Sequence, residues 1–426
     1  MDTRMSETPN HIERAAVFTG LALVTLHLTV ASLTDLNAPA LERLGWAAAA
    51  LAAGALAAFA YHTLGGRRWR GAVLLAYGLP AALTGVGIHV VHIASIGFKT
   101  SDCTGVPMLV AGVVLTVIGV AILVRAIHTW WRRLLLLPVG ILILLYLVLP
   151  VTLSIYATNV AKRELCCDNT PAVHGFDYED VTFETPDGLT LGAWYIPSKN
   201  GAAVITVHGS GGDRMKTMDE SLVLARHGYG VLMIDVEGFG ESEGRSNSFG
   251  WAGAGDVHAA VDYLQSRDDV DPDRIGGLGL SMGAEVLIHA AGESDELRAI
   301  VAEGGSSRTP ADFNEMPGFG SKPIMPFQWV LAGSLRLMTG DPIPPPLKEM
   351  AAQIGPRPVL LIAADLNEET TLNRLYQEVG GPSFELWIIP EADHIGAYDN
   401  HPAEYEDRVI SFLDDALLSD PAVEAR

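Results

Sequence analysis

Cysteine and lysine are the scarce residues of this 426-residue chain, with three of the first and six of the second. Three thiols cannot build a disulfide scaffold, so the fold must rest on apolar burial. The 28 basic residues are outweighed by 50 Asp and Glu, giving a net charge of −22. A phosphate backbone needs a basic surface, which excludes nucleic acid as a partner. An acidic, Lys-poor surface suits high salt, and GC-rich coding produces the same Arg bias. Both explanations stay open, because surface charge speaks to solubility and not to fold. The first apolar run has no small-residue cleavage site behind it, so it reads as an anchor and not as a removed signal.

The charge that is present is unevenly placed. Residues 1–164 carry 12 Lys and Arg against 7 Asp and Glu, a net of +5, and the remainder carries 16 against 43, a net of −27. The first part holds five apolar runs, near 15–34, 44–63, 71–95, 106–128 and 134–157. Each reaches the ~20 residues a spanning helix needs, and their uninterrupted apolarity selects helices over a barrel. The expectation is an α-helical transmembrane bundle over 1–160, a linker over 161–174, and a soluble domain over 175–420.

Orientation follows from the basic residues. Arg4, Arg14, Arg67, Arg68, Arg70, Arg125, Arg132 and Arg133 fall on one side of the spans, and Arg43, Lys99, Lys162 and Arg163 on the other. The positive-inside rule then puts the N-terminus in the cytoplasm and, after five spans, the soluble domain outside the cell membrane. In that topology Cys103, Cys166 and Cys167 share the oxidising face. A disulfide from Cys103 to Cys166 or Cys167 would tie the entry of the soluble domain to the bundle, and three unrelated thiols are the plainer alternative. His27, His89 and His92 lie inside predicted spans, the last two at i, i+3 spacing. Interhelical packing and a metal, haem or proton-relay role are both open to them. No carboxylate is expected beside them, which weakens a transport role.

From residue 175 the texture changes to strands alternating with helices, the pattern of βαβ units and a mostly parallel sheet. A hairpin is expected over 181–197 with its turn at Asp187–Gly188. Strands are expected at 202–209, 231–238, 274–280, 299–304, 358–364 and 384–390. Helices are expected at 217–227, 256–267, 284–292 and 403–417. Ligands of such sheets bind beyond the carboxyl ends of the strands.

Gly279-Leu280-Ser281-Met282-Gly283 follows an apolar strand and opens a helix, the setting a nucleophilic serine on a tight strand-to-helix turn requires. His208-Gly209-Ser210-Gly211-Gly212 ends an earlier strand. Backbone N–H groups of Ser210 and Met282 would form an oxyanion hole there. A plain glycine-rich turn is the bland alternative, and a phosphate cradle lacks its GK[ST] signature. His394, in PEADHIG after the last strand, would take the Ser281 proton and return it to the leaving group. Asp393 beside it is expected to cap the loop, since sequence neighbours rarely point at each other.

The stretches VHGSGG, VLMIDVEGFGESEG, DPDRIGGLGLSMGAE and PEADHIG resemble the α/β-hydrolase superfamily, most closely its esterase and acyl-peptidase-like hydrolases. The resemblance covers about 60% of the chain, from residue 175 to 420. It implies a Ser–His–acid triad, an oxyanion hole, and no cofactor or metal. One position departs from the family pattern: Glu237 stands where an arginine is common. The resemblance also places the acid after the strand before that of the histidine, in LLIAADLNEET. The usual spacing from Ile362 reaches Asn367, which carries no charge. Glu368 is the first candidate, Asp365 the second, and Glu303 on the earlier strand the third.

Residues 305–357 lie where the family carries a lid. Phe327, Trp329 and Leu335 could line an acyl pocket or touch a bilayer, and an ordinary connecting helix is the alternative. The expected protein is a membrane-anchored serine hydrolase cleaving ester, thioester or amide bonds in an acyl-ester or peptide-like substrate. The alternative is a membrane sensor or receptor that uses the hydrolase fold as a ligand-binding module.

Overall fold

The structure, a computed structural model, describes residues 11–34, 40–63, 66–127, 129–160, 165, 169–316, 322–390 and 392–419. The chain divides into two compact units, Met1–Tyr156 and Ala157–Arg426.

The first unit is helical: α1 (His11–Thr34), α2 (Ala40–Thr63), α3 (Arg67–Thr84), α4 (Val91–Ile96), α5 (Asp102–Arg125), α6 (Trp130–Ile143) and α7 (Leu149–Ala157). A wide π turn at Gly85–Val90 joins α3 to α4, and another at Leu144–Val148 joins α6 to α7. Among the described residues, five helices are thereby long and apolar enough to cross a membrane: His11–Leu33, Arg43–Thr63, Arg67–Ala94, Asp102–Arg125 and Arg133–Ala157. Small residues set how closely α3 and α5 approach. A Cβ on Gly78 would lie 2.7 Å from the Thr116 backbone nitrogen, and one on Gly112 would lie 2.5 Å from that of Ala82. Backbone contact of this kind lets the two helices pack closely through their small residues. The fourth candidate span begins four residues before the expected apolar run, at Asp102, whose negative charge suits a helix N-terminus. This corrects the expectation that no carboxylate accompanies the histidines. Cys103 is exposed, whereas Cys166 and Cys167, its expected disulfide partners, lie outside the described residues.

The second unit is an α/β domain built on one mostly parallel sheet. Its strands are β1 (Glu179–Glu184), β2 (Thr190–Ile196), β3 (Ala203–Val207), β4 (Gly230–Ile234), β5 (Ile275–Leu280), β6 (Ala299–Glu303), β7 (Val359–Ala364) and β8 (Phe384–Ile389). They form one sheet in the order β1-β2-β4-β3-β5-β6-β7-β8. β1 and β2 make the hairpin, closed where the Gly188 N–H donates to the Thr185 carbonyl at 2.9 Å. Gly188 has φ 86°, which only glycine adopts freely. β2 pairs antiparallel with β4, and from β3 to β8 every pairing is parallel.

Helices α8 (Met218–Arg226), α9 (Gly253–Gln265), α10 (Met282–Glu293), α11 (Pro310–Asn314), α12 (Met325–Thr339), α13 (Leu347–Ile354), α14 (Asn367–Gly380), α15 (Ala397–Asn400) and α16 (Pro402–Leu413) complete the unit. Two apolar cores sandwich the sheet. One takes Val257, Leu287, Met350 and Leu372 from α9, α10, α13 and α14, and the other takes Val223 and Val409 from α8 and α16. Neighbouring residues of β3 feed opposite cores, Ile205 the first and Val204 the second. That is the period-2 alternation of a strand buried on both faces.

β3 lies between β4 on one side and β5 on the other, so the strand order reverses at β3. A crevice opens outside the carboxyl ends of strands at such a point. It lies between the loop after β3, which carries Ser210, and the turn after β5, which carries Ser281.

Candidate active site

Ser281 is the residue at which β5 becomes α10, and its backbone has φ 53° and ψ −115°. Non-glycine residues avoid this region, at a cost of about 1–3 kcal/mol, and it persists only where the surroundings impose it. Here the Ser281 N–H donates to the Glu303 carbonyl at 2.7 Å. The flanking glycines are steric necessities. A Cβ on Gly279 would lie 2.4 Å from the Gly283 carbonyl, and one on Gly283 would lie 2.1 Å from the Val207 oxygen.

His394 reaches the same point from the loop after β8. Its Nε2 lies 2.8 Å from Ser281 Oγ, and its Nδ1–H donates to Oε1 of Glu369. Glu369 Oε2 accepts the Ala364 N–H at 3.1 Å. The carboxylate is therefore buried and held at both oxygens. The hydrogen bond to Glu369 raises the pKa of His394 above its ordinary value, because the imidazolium is the better donor to a carboxylate.

None of the three carboxylates expected from the sequence is hydrogen-bonded to His394, which meets Glu369 instead. Glu368 accepts the Ser307 hydroxyl at 2.5 Å instead of meeting His394. Asp365 is exposed, and its backbone N–H donates to the Ile389 carbonyl at 3.1 Å. Glu303 is buried, with Oε1 accepting the Ala397 N–H at 2.9 Å and Oε2 left without a partner. Its pKa is pushed up to about 7 by burial. Spacing failed here because the carboxylate lies not in the loop but in the first turn of α14. Consecutive helical residues are rotated by about 100°, so Glu368 and Glu369 face different neighbours.

Ser210 follows β3 and Met282 is the first residue of α10, so the two expected oxyanion donors flank the crevice. The Met282 N–H is among the first-turn donors with no carbonyl four residues back. The approach is tight, since a Cβ on Gly209 would lie 3.3 Å from that of Ser281. His208, just before, is structural. Its Nδ1–H donates to the Gly209 carbonyl at 2.8 Å and its Nε2 accepts the Val236 N–H at 3.2 Å. Burial lowers its pKa, so it stays neutral in that bridge.

Behind this loop sits a pair that the motifs did not reveal. Arg214 is buried, and its Nε and Nη2 donate to Asp235 Oδ2 at 3.0 and 2.8 Å, while its backbone N–H donates to Oδ1 at 2.6 Å. Arg214 Nη2 also meets Glu241 at 2.8 Å. Gly192 makes the room, since a Cβ there would lie 2.5 Å from Arg214 Nη2. The available signal was a lone Asp at the end of the apolar strand β4 and an Arg seven residues beyond the end of β3. Glu237, at the family's arginine position, accepts the Arg245 N–H at 3.2 Å and so braces its own loop. Asp393 is exposed, and its carbonyl accepts the Gly396 N–H at 3.1 Å.

Of the three residues offered for an acyl pocket, Leu335 is buried in a cluster with Trp251, Leu331 and Ala332. Phe327 packs against that cluster, and Trp329 is exposed. Leu335 is therefore part of the core.

Residues 181–329 match the X-Pro dipeptidyl-peptidase (S15) family. The chain is 29% identical over 270 residues to the uncharacterized protein YfhR of Salmonella typhi, covering 58% of this chain and 84% of that one. It is 42% identical over 117 residues to the uncharacterized protein Rv2307c of Mycobacterium tuberculosis, a match spanning 26% of this chain and 40% of that one. Among solved structures it is similar to the Pyrococcus furiosus esterase Pf2001, at 24% identity and a TM-score of 0.48, covering 60% of this chain and all of that one.

Proposed function

We propose that this protein is a membrane-anchored serine hydrolase working through an acyl-enzyme on Ser281. The observation that carries the proposal is the continuous line from Ser281 Oγ through His394 to the buried Glu369 carboxylate. Ser281 Oγ attacks the substrate carbonyl while its proton passes to His394 Nε2. Negative charge gathers on the carbonyl oxygen, where the N–H groups of Ser210 and Met282 stabilise it. Collapse breaks the bond to the leaving group, which takes the proton from Nε2. A water molecule, deprotonated by the same nitrogen, then releases the acid and restores Ser281. Glu369 fixes His394 with its proton on Nδ1 and stabilises the imidazolium that forms.

Carboxylic esters are the first substrate class, and the five apolar helices favour acyl esters presented near a bilayer. The S15 match makes amide bonds after proline the second class. The N-terminus is assigned to the cytoplasm and the hydrolase unit to the outer side. The sensor alternative drew its motive from an acid loop that did not fit the family spacing, and Glu369 supplies that acid. The decisive experiment treats the full chain in detergent with a fluorophosphonate probe and then offers short p-nitrophenyl esters and X-Pro p-nitroanilides. Labelling that disappears in Ser281→Ala, with turnover of either substrate, supports the proposal. A folded wild-type chain that neither labels nor turns over would sink it.

A further inference from the structure

Glu303 ends β6 and touches both halves of the candidate machinery through different atoms. Its backbone carbonyl accepts the Ser281 N–H at 2.7 Å. Its side chain crosses to the loop after β8, where Oε1 accepts the Ala397 N–H at 2.9 Å. Water does not reach this bond, since Glu303 is 2% exposed and Ala397 1%. Ala397 opens α15, and the residue before it, Gly396, has no side chain with which to cap that helix. The carboxyl of a distant strand therefore supplies the cap that a neighbouring Asp or Ser ordinarily supplies.

The reason for this reach lies between His394 and Ala397. Ile395 has φ 54°, and among the described non-glycine residues only Ser281 shares a positive φ. A β-branched residue is strained there, and the conformation persists only where the surroundings impose it. Two hydrogen bonds follow Ile395. The Asp393 carbonyl accepts the Gly396 N–H at 3.1 Å, which closes the loop on itself and would move with it. The bond from the Ala397 N–H to Glu303 ties the loop to the sheet. The fit beneath is close, because a Cβ on Gly304 would lie 2.7 Å from Ile395 Cγ2 and 3.0 Å from His394 Cε1.

We propose that Glu303 is a positioning residue whose carboxyl holds the strained turn at Ile395 and so keeps His394 Nε2 on Ser281 Oγ. This rests on the assignment of Ser281 and His394 as nucleophile and base. Without the acceptor, the Ala397 N–H is orphaned, Ile395 relaxes to a negative φ, and the chain turns at the residue next to His394. The main-chain bond to Ser281 survives any change of the Glu303 side chain, so the base shifts while the nucleophile stays. An amide oxygen accepts the same N–H. The role therefore needs an acceptor of this length and not a charge.

The test compares Glu303→Leu, Glu303→Asn and Glu303→Gln in the full chain in detergent, with p-nitrophenyl acetate as substrate. Leucine removes the acceptor, and asparagine keeps it one methylene short. Each should lower kcat about 10²-fold, the scale of a misplacement of about 1 Å, with KM within a few-fold of wild type. Glu303→Gln should recover most of that loss. The proton between His394 and Glu369 gives a downfield NMR resonance that reports the seat of the ring without any turnover. It should shift or vanish in Glu303→Leu and Glu303→Asn and return in Glu303→Gln. If Glu303→Leu fails to elute as a monodisperse species, Glu303→Asn carries the comparison. A kcat within a few-fold of wild type in the shortened variants overturns the proposal, as does a Glu303→Gln protein as slow as they are. A folded wild type that turns nothing over removes the hydrolase assignment, and the resonance then decides alone. If it is unchanged in the shortened variants, Glu303 does not position His394.

Discussion

The Glu369 carboxylate and the backbone N–H of Ala364 are joined at 3.1 Å, so the last residue of β7 holds the acid that holds His394. The acid is thereby fixed to the sheet as well as to its own helix. Under the proposed chemistry, Glu369→Gln should lower kcat/KM about 10³–10⁴-fold, the scale on which a triad without its carboxylate fails. Glu368→Ala and Asp365→Ala should stay within a few-fold of wild type. Ester turnover by the three variants side by side separates the candidates.

Because its hydrogen bond to Glu369 raises the pKa of His394, the pH profile carries a signature. A general base works as the neutral imidazole, so kcat/KM should rise with pH through a value above the ordinary ~6.5. In Glu369→Gln the residual activity should show that limb displaced to lower pH. A limb at the same pH in both proteins would dissociate His394 from Glu369.

Glu303 titrates at about 7 because of burial, whereas an unfolded glutamate titrates near ~4.3. Between these values the folded state holds more protons than the unfolded one, so stability falls as pH rises through the window. Glu303→Gln mimics the neutral acid. Its melting temperature should drop less than that of the wild type between pH 5 and pH 8.

Arg214→Met leaves Asp235 as an uncompensated buried charge, a loss expected at about 3–5 kcal/mol. Denaturant unfolding of the variant measures it. A loss below 1 kcal/mol would mean that water reaches the pair.

Glycines offer a paired control. Gly283→Ala places a Cβ 2.1 Å from the Val207 oxygen and should prevent assembly of the turn at Ser281. Gly255→Ala, in α9, meets nothing within 4 Å and should stabilise by about 0.5–1 kcal/mol. Expression and thermal unfolding of the two variants read the difference.

Much of this architecture is written in short-range pattern. Apolar length announces the five helices, and strand–helix alternation announces β3 through β8. The setting of Ser281 between strand and helix needs no long-range information. What stayed hidden depends on rotation and on partners distant in sequence. Glu368 and Glu369 are equivalent by composition and differ only in which way the first turn of α14 points them. Arg214 and Asp235 are 21 residues apart and meet only because β3 and β4 are neighbours. Asp102 escaped notice because the apolar run starts after it, while the helix does not.

The wide turn at Gly85–Val90 decides which way His89 faces. A π turn amounts to one extra residue in an α-helix, and each residue advances the helix by about 100°. Losing a single codon between Gly85 and Ile88 would leave the third apolar helix nearly as long, yet swing His89 away from its hydrogen-bond partners Asp102 and His27. Descendants with and without those contacts could therefore differ by one insertion while keeping indistinguishable hydropathy.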